Sequence, residues 1–156
     1  MARIKHKPRK IELDSNYPDV LVTRLINYIM LDGKKPLARS IVYNAFSMIN
    51  KKGEAADPLQ VFRKALQEIK PTVEVKTRTT KGAPVRYPSM VSSGRQNILA
   101  LRWMVEAARV NKGKKTMAES LADEILAASN GEGEAIKKKN NLYKSAQSHK
   151  AYSHLK

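Results

Sequence analysis

The chain contains no cysteine. That excludes disulfides, thiolate zinc sites and cysteine nucleophiles, and it suits a reducing compartment. No apolar run approaches the ~20 residues that span a bilayer, so no membrane partner is expected. The N-terminus, Met1-Ala2-Arg3-Ile4-Lys5-His6-Lys7-Pro8-Arg9-Lys10, has no apolar core behind its charges and does not read as a signal peptide. Histidine is scarce too. His6, His149 and His154 are the only three, and none stands in an H-E-x-x-H spacing, so no metal is expected. Aromatic residues make up 6% of the chain, too few for sheet platforms that stack single-stranded bases. Acid is the last shortage, with 14 Asp and Glu against 30 Lys and Arg.

What that shortage leaves is a net charge of +16. Self-repulsion of this size opposes folding and points to a polyanionic partner. The 42% of hydrophobic residues is enough for one core, and 156 residues fit one domain with tails. Residues 1–10 carry five Lys and Arg and no acid, which predicts an extended, mobile basic arm. Residues 11–156 are expected to form a single helical domain that binds that polyanionic partner.

Hydrophobic spacing predicts the elements. Val22, Leu25, Ile26, Ile29 and Met30 follow a core-facing helix stripe, with Pro18 placed to start it and Gly33 to end it. Pro36 opens a second helix, with Ile41, Ala45, Met48 and Ile49 inward and Gly53 as its stop. Asp57-Pro58-Leu59-Gln60 has the capping-box pattern. The third helix it opens buries Leu59, Phe62, Leu66 and Ile69 and is broken at Pro71. The period then changes to two. Val73, Val75 and Thr77 alternate with Glu74, Lys76 and Arg78, Thr79 to Pro84 supplies a turn, and Val85 to Met90 runs back. Pro84 and Pro88 cannot donate to a ladder, so this ribbon, at about 73–91, is expected to project rather than sit inside a sheet. Ser93-Gly94-Arg95-Gln96 reads as a second capping box, leading a helix through Ile98, Leu101, Trp103 and Val105. Thr116-Met117-Ala118-Glu119 reads as a third, leading one with Leu121, Ala122 and Ile125 inward. A last, basic helix is expected at about 134–152. The fold class is therefore mainly α, a bundle of about six helices with a protruding two-stranded β-ribbon and basic terminal extensions.

Catalytic readings fail on spacing. Gly113-Lys114-Lys115-Thr116 resembles the end of a phosphate-binding loop, but Ala108 stands where its first glycine belongs and Lys115 where a Ser or Thr must follow the lysine. Gly131-Glu132-Gly133 has no strand before it and reads as a helix linker. The acids follow no paired-carboxylate logic. No catalytic residue and no cofactor are expected.

The basic clusters remain. Lysine and arginine that meet phosphates release counterions and give strong, salt-sensitive affinity. The candidates are Arg3, Lys5, Lys7, Arg9 and Lys10 in the arm, and Lys34 and Lys35 before the second helix. Lys76, Arg78, Lys81 and Arg86 stand on the ribbon. Arg95, Arg102 and Arg109 lie at intervals of seven along the fourth helix, hence near one face. Lys114, Lys115, Lys137 and Lys138 complete the set. The alternative for the three arginines is that they pair with the acidic helix at 119–124 and only hold helices together. Trp103 reads as core, and Tyr87 as the better stacking candidate. Recognition of folded RNA by shape and phosphates fits better than a DNA-binding helix-turn-helix or an interfacial membrane helix.

Specific strings narrow the class. Met30-Leu31-Asp32-Gly33-Lys34-Lys35 with Ile41-Val42-Tyr43, Lys70-Pro71-Thr72-Val73-Glu74-Val75-Lys76, and Ala100-Leu101-Arg102-Trp103-Met104-Val105-Glu106-Ala107-Ala108-Arg109 resemble successive motifs of the bacterial-type small-subunit ribosomal protein S-seven family. Lys115-Thr116-Met117-Ala118, Ala135-Ile136-Lys137-Lys138-Lys139 and His149-Lys150-Ala151-Tyr152-Ser153-His154 continue in the same order. The resemblance implies a primary binder of small-subunit (16S-type) rRNA that nucleates the head, or 3′ major domain. It implies a place near the exit tRNA site and the mRNA path, beside other head and platform proteins. It also implies a ribosome in the bacterial cytoplasm, with an organelle as the alternative. Thr79 and Lys81 at the ribbon tip, Ser92 and Gln96 at the fourth helix, and the ending Leu155-Lys156 depart from the family's usual residues. The competing class is a free nucleic-acid regulator or RNA-processing enzyme.

Overall fold

Three apolar stripes in the first half of the chain fold into helices that bury them. A computed structural model describes residues 11–52, 57–80 and 82–151. The basic arm, Gly53, Lys81 and residues 152–156 lie outside it. The first three helices are α1 (Val20–Ile29), α2 (Lys35–Lys51) and α3 (Pro58–Ile69). The ribbon strands β1 (Val73–Thr80) and β2 (Ala83–Met90) follow, and then α4 (Ser93–Val110), α5 (Met117–Ser129) and α6 (Glu134–Ser148). This is the expected helical bundle with a ribbon.

Helix starts follow the local chemistry, with corrections. Pro18 does not open α1. Asp19 caps it instead, its carboxylate accepting from the Leu21 amide at 2.7 Å. Asp57 caps α3 through the Leu59 amide at 2.9 Å, with Pro58 in the first turn, where its missing N–H costs nothing. Thr116 and Glu119 form the full reciprocal box on α5. The box expected at Ser93 does not form. The cap residue is Ser92, without a side-chain bond, and Gln96 Nε2 donates instead to the Val91 carbonyl at 3.2 Å. At α6 the cap residue is Gly133, which has no side chain to offer. The buried Glu124 of α5 takes that role, its Oε1 accepting from the Ala135 amide at 2.9 Å. A carboxylate at a helix N-terminus also meets the favourable end of the helix dipole.

The helix at the centre is α5, which packs against α2, α3, α4 and α6. The hydrophobic cluster takes residues from all six helices, among them Leu25, Phe46, Phe62, Met104, Leu121 and Ala135. Tyr17 closes one end, its ring meeting Phe46 edge-on at 5.0 Å. Each such large side chain, fully buried, contributes roughly 1.5–3 kcal/mol over leaving it in water. Trp103 is half-buried against this cluster, as its spacing predicts. Ile98 is not inward: it lies one turn from the start of α4, past the edge of the cluster, and is 40% exposed.

The acidic segment before α1 is held by Asp14, which is 5% exposed. Its Oδ2 accepts from the Tyr43 hydroxyl at 2.5 Å and from the Asn16 and Tyr17 amides at 3.3 Å. Arg39 Nε lies 3.0 Å from Oδ1, close enough for an ion pair though off the line of a hydrogen bond. Burial pushes this carboxyl up, but the Tyr43 hydroxyl, the two amides and Arg39 outweigh it and hold the group below its ordinary value.

The ribbon is antiparallel, pairing Val73 with Met90, Lys76 with Tyr87 and Thr80 with Ala83. Strand pairing therefore runs further into the expected turn, leaving two residues, the second being Gly82 at φ +81°. A two-residue turn closes on a hydrogen-bonded pair, and such pairs recur at every second position. The bond from the Val91 amide to the Thr72 carbonyl, 3.0 Å, fits that alternation. Pro84 and Pro88, paired with Thr79 and Val75, occupy the intervening positions, where a β2 amide would point away from β1. Alternation also splits the ribbon into two faces. Val73, Pro88 and Met90 share one face with Arg86, and α6 packs against the ribbon there through Tyr143 and Ala146. The Tyr143 hydroxyl accepts from the Thr72 amide at 3.0 Å. Glu74, Lys76, Arg78 and Tyr87 share the other face.

Candidate nucleic-acid interface

Two of the expected arginines, Arg95 and Arg102, stand on the exposed side of α4. Their side chains remain 55% and 66% exposed. Neither pairs with α5, so the alternative drawn from the acidic helix is not what the structure shows. Arg95 Nε donates to Glu74 Oε2 of β1 at 2.7 Å. Arg102 Nε donates to Glu106 Oε1, one turn along the same helix, at 2.9 Å.

Each of these carboxylates also holds a lysine from another element. Lys76 of β1 lies 3.3 Å from Glu74 Oε1, and Lys138 of α6 donates to Glu106 Oε2 at 3.0 Å. Burial pushes both carboxyls up. At Glu74, Arg95 and Lys76 reverse that and hold it below the ordinary value. At Glu106, Lys138 and Arg102 do the same. Two carboxylates thus gather four of the expected RNA-binding cations, from β1, α4 and α6, into one surface. Arg78 and Tyr87 lie on the ribbon face that continues from Lys76.

The other expected residues are placed elsewhere. Arg109 is exposed and reaches α1, its Nη2 donating to the Tyr28 and Ile29 carbonyls at 3.2 and 3.4 Å. Its charge sits at the negative end of that helix. Lys34 is exposed and Lys35 half-buried at the α1–α2 corner, beside a shallow hollow lined by Met30, Leu31, Leu37 and Ile41. Lys114 is exposed in the α4–α5 connection. Lys115 donates to Asp123 Oδ2 at 2.6 Å, and this pairing raises its pKa. Asp123 also receives Lys52 from the end of α2, at 2.5 Å. Lys137 pairs with Glu134 one turn back, which raises its pKa too. Arg86, on the opposite ribbon face from Lys76, borders a hollow shared with His149. Arg3, Lys5, Lys7, Arg9, Lys10 and Lys81 fall outside the described residues.

Sequence reasoning missed the carboxylates. Glu106 was readable, because an arginine and a glutamate four apart on a helix face each other. Glu74 was not, since its partner Arg95 comes from another element 21 residues along. Among the described residues no group of three or more metal-binding side chains converges, and no helix is long and apolar enough to cross a membrane. The surface itself offers positive charge drawn from three elements and held by two carboxylates.

Known proteins match this chain along its whole length. The pattern of the Ribosomal protein S7p/S5e family matches residues 1–150. The small ribosomal subunit protein uS7 of Thermotoga maritima is 46% identical over 156 residues, covering 100% of this chain and 99% of that protein. The uS7 of Metamycoplasma arthritidis is 45% identical over 157 residues and that of Nitratiruptor sp. 42% over 156, each covering 100% of this chain and 99% of its own length. With its folded body and its full length matched in this way, the chain belongs to the ribosomal protein S7p/S5e family.

Proposed function

We propose that this chain is a structural, non-enzymatic constituent of the small ribosomal subunit. It binds 16S-type rRNA directly and nucleates the head, the 3′ major domain. It lies near the exit tRNA site and the mRNA path, beside other head and platform proteins, in the cytoplasm of a bacterium. Residues 11–156 act as one RNA-binding domain, with residues 1–10 as a basic arm. The observation that carries the reading is the surface shared by β1, α4 and α6, where Lys76, Arg95, Arg102 and Lys138 stand together around two carboxylates. Arginine supplies bidentate phosphate contacts, and lysine supplies point charge.

Binding to a head-domain rRNA fragment, measured from low to moderate salt, tests this. With roughly six phosphate contacts, log K against log salt is expected to slope at about −4 to −5. A slope near zero refutes the electrostatic account. Co-sedimentation with small subunits through a salt wash separates the architectural role from that of a free regulator, which washes off.

A further inference from the structure

Arg95 and Arg102 meet their carboxylates in the same way. Each donates through Nε alone, at 2.7 Å to Glu74 and 2.9 Å to Glu106. Among the described residues, neither Nη1 nor Nη2 of these two side chains has a hydrogen-bond partner. Arg63 behaves differently: it grips Asp19 Oδ2 through Nε at 2.9 Å and Nη2 at 2.6 Å. A guanidinium carries five N–H donors in a fixed planar fork. A carboxylate on Nε fixes the plane and leaves the outer fork, Nη1 with Nη2, open to a second oxyanion. That outer fork matches two oxygens of a phosphate.

We propose that Glu74 and Glu106 are positioning residues that aim the outer forks of Arg95 and Arg102 at RNA phosphates and hold Lys76 and Lys138 beside them. The inference rests on the RNA-binding role proposed above. Each carboxylate makes one seat, composed of an arginine fork and a lysine from a neighbouring element. Without it, the long side chains must be ordered at the moment of binding, which costs affinity for each one immobilised.

Charge alone predicts the reverse. A carboxylate beside a phosphate repels it, so its removal should tighten RNA binding. The two accounts therefore differ in sign. The test uses the full chain, a head-domain rRNA fragment at one fixed salt concentration, and the variants E106A, E74A, R102A/K138A, R102A/K138A/E106A and R95A/R102A. Thermal unfolding of each is recorded alongside. Glu106 lies on an exposed helix face, with 39% of its side chain exposed, so E106A keeps the comparison sound if E74A disturbs the ribbon.

E106A is expected to bind RNA at least about fivefold more weakly than the parent, the cost of freeing two long side chains, with an unchanged melting temperature. In the R102A/K138A background the same substitution is expected to cause no further loss, because the residues it acts through are gone. Equal or tighter binding by E106A, together with weak binding by R95A/R102A, overturns the inference and leaves the RNA-binding face intact. Parent-like binding by R95A/R102A overturns the assignment of this face to RNA, and the inference falls with it.

Discussion

Gly133→Ala is expected to be one of the costliest single-methyl additions to this protein. Gly133 stands at φ +100° and ψ 170°, a conformation essentially reserved for glycine. Forcing alanine into it costs about 1–3 kcal/mol. The added Cβ would also come within 2.8 Å of Glu124 Oε1. A carboxylate tip at the surface could swing aside. This one is buried and bonded to the Ala135 amide, so moving it opens the N-terminus of α6. Loss of a charge-assisted bond adds about 1.5–3 kcal/mol. The combined cost is about 2.5–6 kcal/mol, or roughly 5–24 °C in melting temperature for a chain of this size. Thermal unfolding followed by circular dichroism at 222 nm measures it. Gly131→Ala supplies the control, since φ is +81° there but no atom lies within 4 Å of its Cβ, so strain alone acts. In an E124A background Gly133→Ala should cost only its strain, because the clash is gone. Equal costs for the two glycines, or no recovery in the E124A background, would refute the reasoning.

Three further outcomes are expected. Arg95→Ala with Arg102→Ala should weaken binding to a head-domain rRNA fragment by about 2 kcal/mol or more, against under about 1 kcal/mol of stability, because both arginines are more than half exposed and Lys76 and Lys138 still hold the two carboxylates. A double variant that unfolds easily but binds normally when folded would assign these arginines to the fold instead. The depressed Asp14 carboxyl contributes stability that is complete above the ordinary carboxylate range and is lost as pH falls below about 4, through its folded value. Tyr43→Phe removes the hydroxyl that helps hold it down, so the midpoint of acid unfolding should move to higher pH. An unmoved midpoint sinks that account. Replacing residues 77–87 by a short Gly-Ser turn keeps the ribbon base on α6, so melting should fall by less than about 4 °C, equivalent to ~1 kcal/mol, while RNA affinity drops. A larger fall would show that the outer ribbon supports the body.

The helices were legible because their evidence is local. The stripe from Val22 to Ile29 and that from Leu59 to Ile69 repeat at helical spacing, and each is bounded by a proline, glycine or aspartate with a stated mechanism. The ribbon was legible from the change of period at Val73. The fourth helix was read one residue late, because Ser92 and Ser93 are equally good caps and only the course of the chain out of β2 chooses between them. Ile98 fits the stripe on paper, but the cluster ends before it reaches that turn. At the candidate site, the cations could be named from charge density. Their arrangement could not, because it depends on acids drawn from other elements. The net-acidic stretch of α5 is the clearest case. Glu119 caps its own helix, Asp123 ties down Lys52 and Lys115, and Glu124 caps α6. All three acids of α5 are thus tied into contacts within the fold.

The ribbon has only two strands, so both are edges. An edge with a free row of amides and carbonyls is a template on which another chain can pair, and a protein made ahead of its RNA would then precipitate by sheet extension. Along β2 the positions whose amides would face outward include Pro84 and Pro88, which have no hydrogen to give. Along β1, Lys76 and Arg78 bring like charges together if two ribbons approach. The two prolines and the like charges thus disfavour edge-to-edge pairing between ribbons of two copies of this chain.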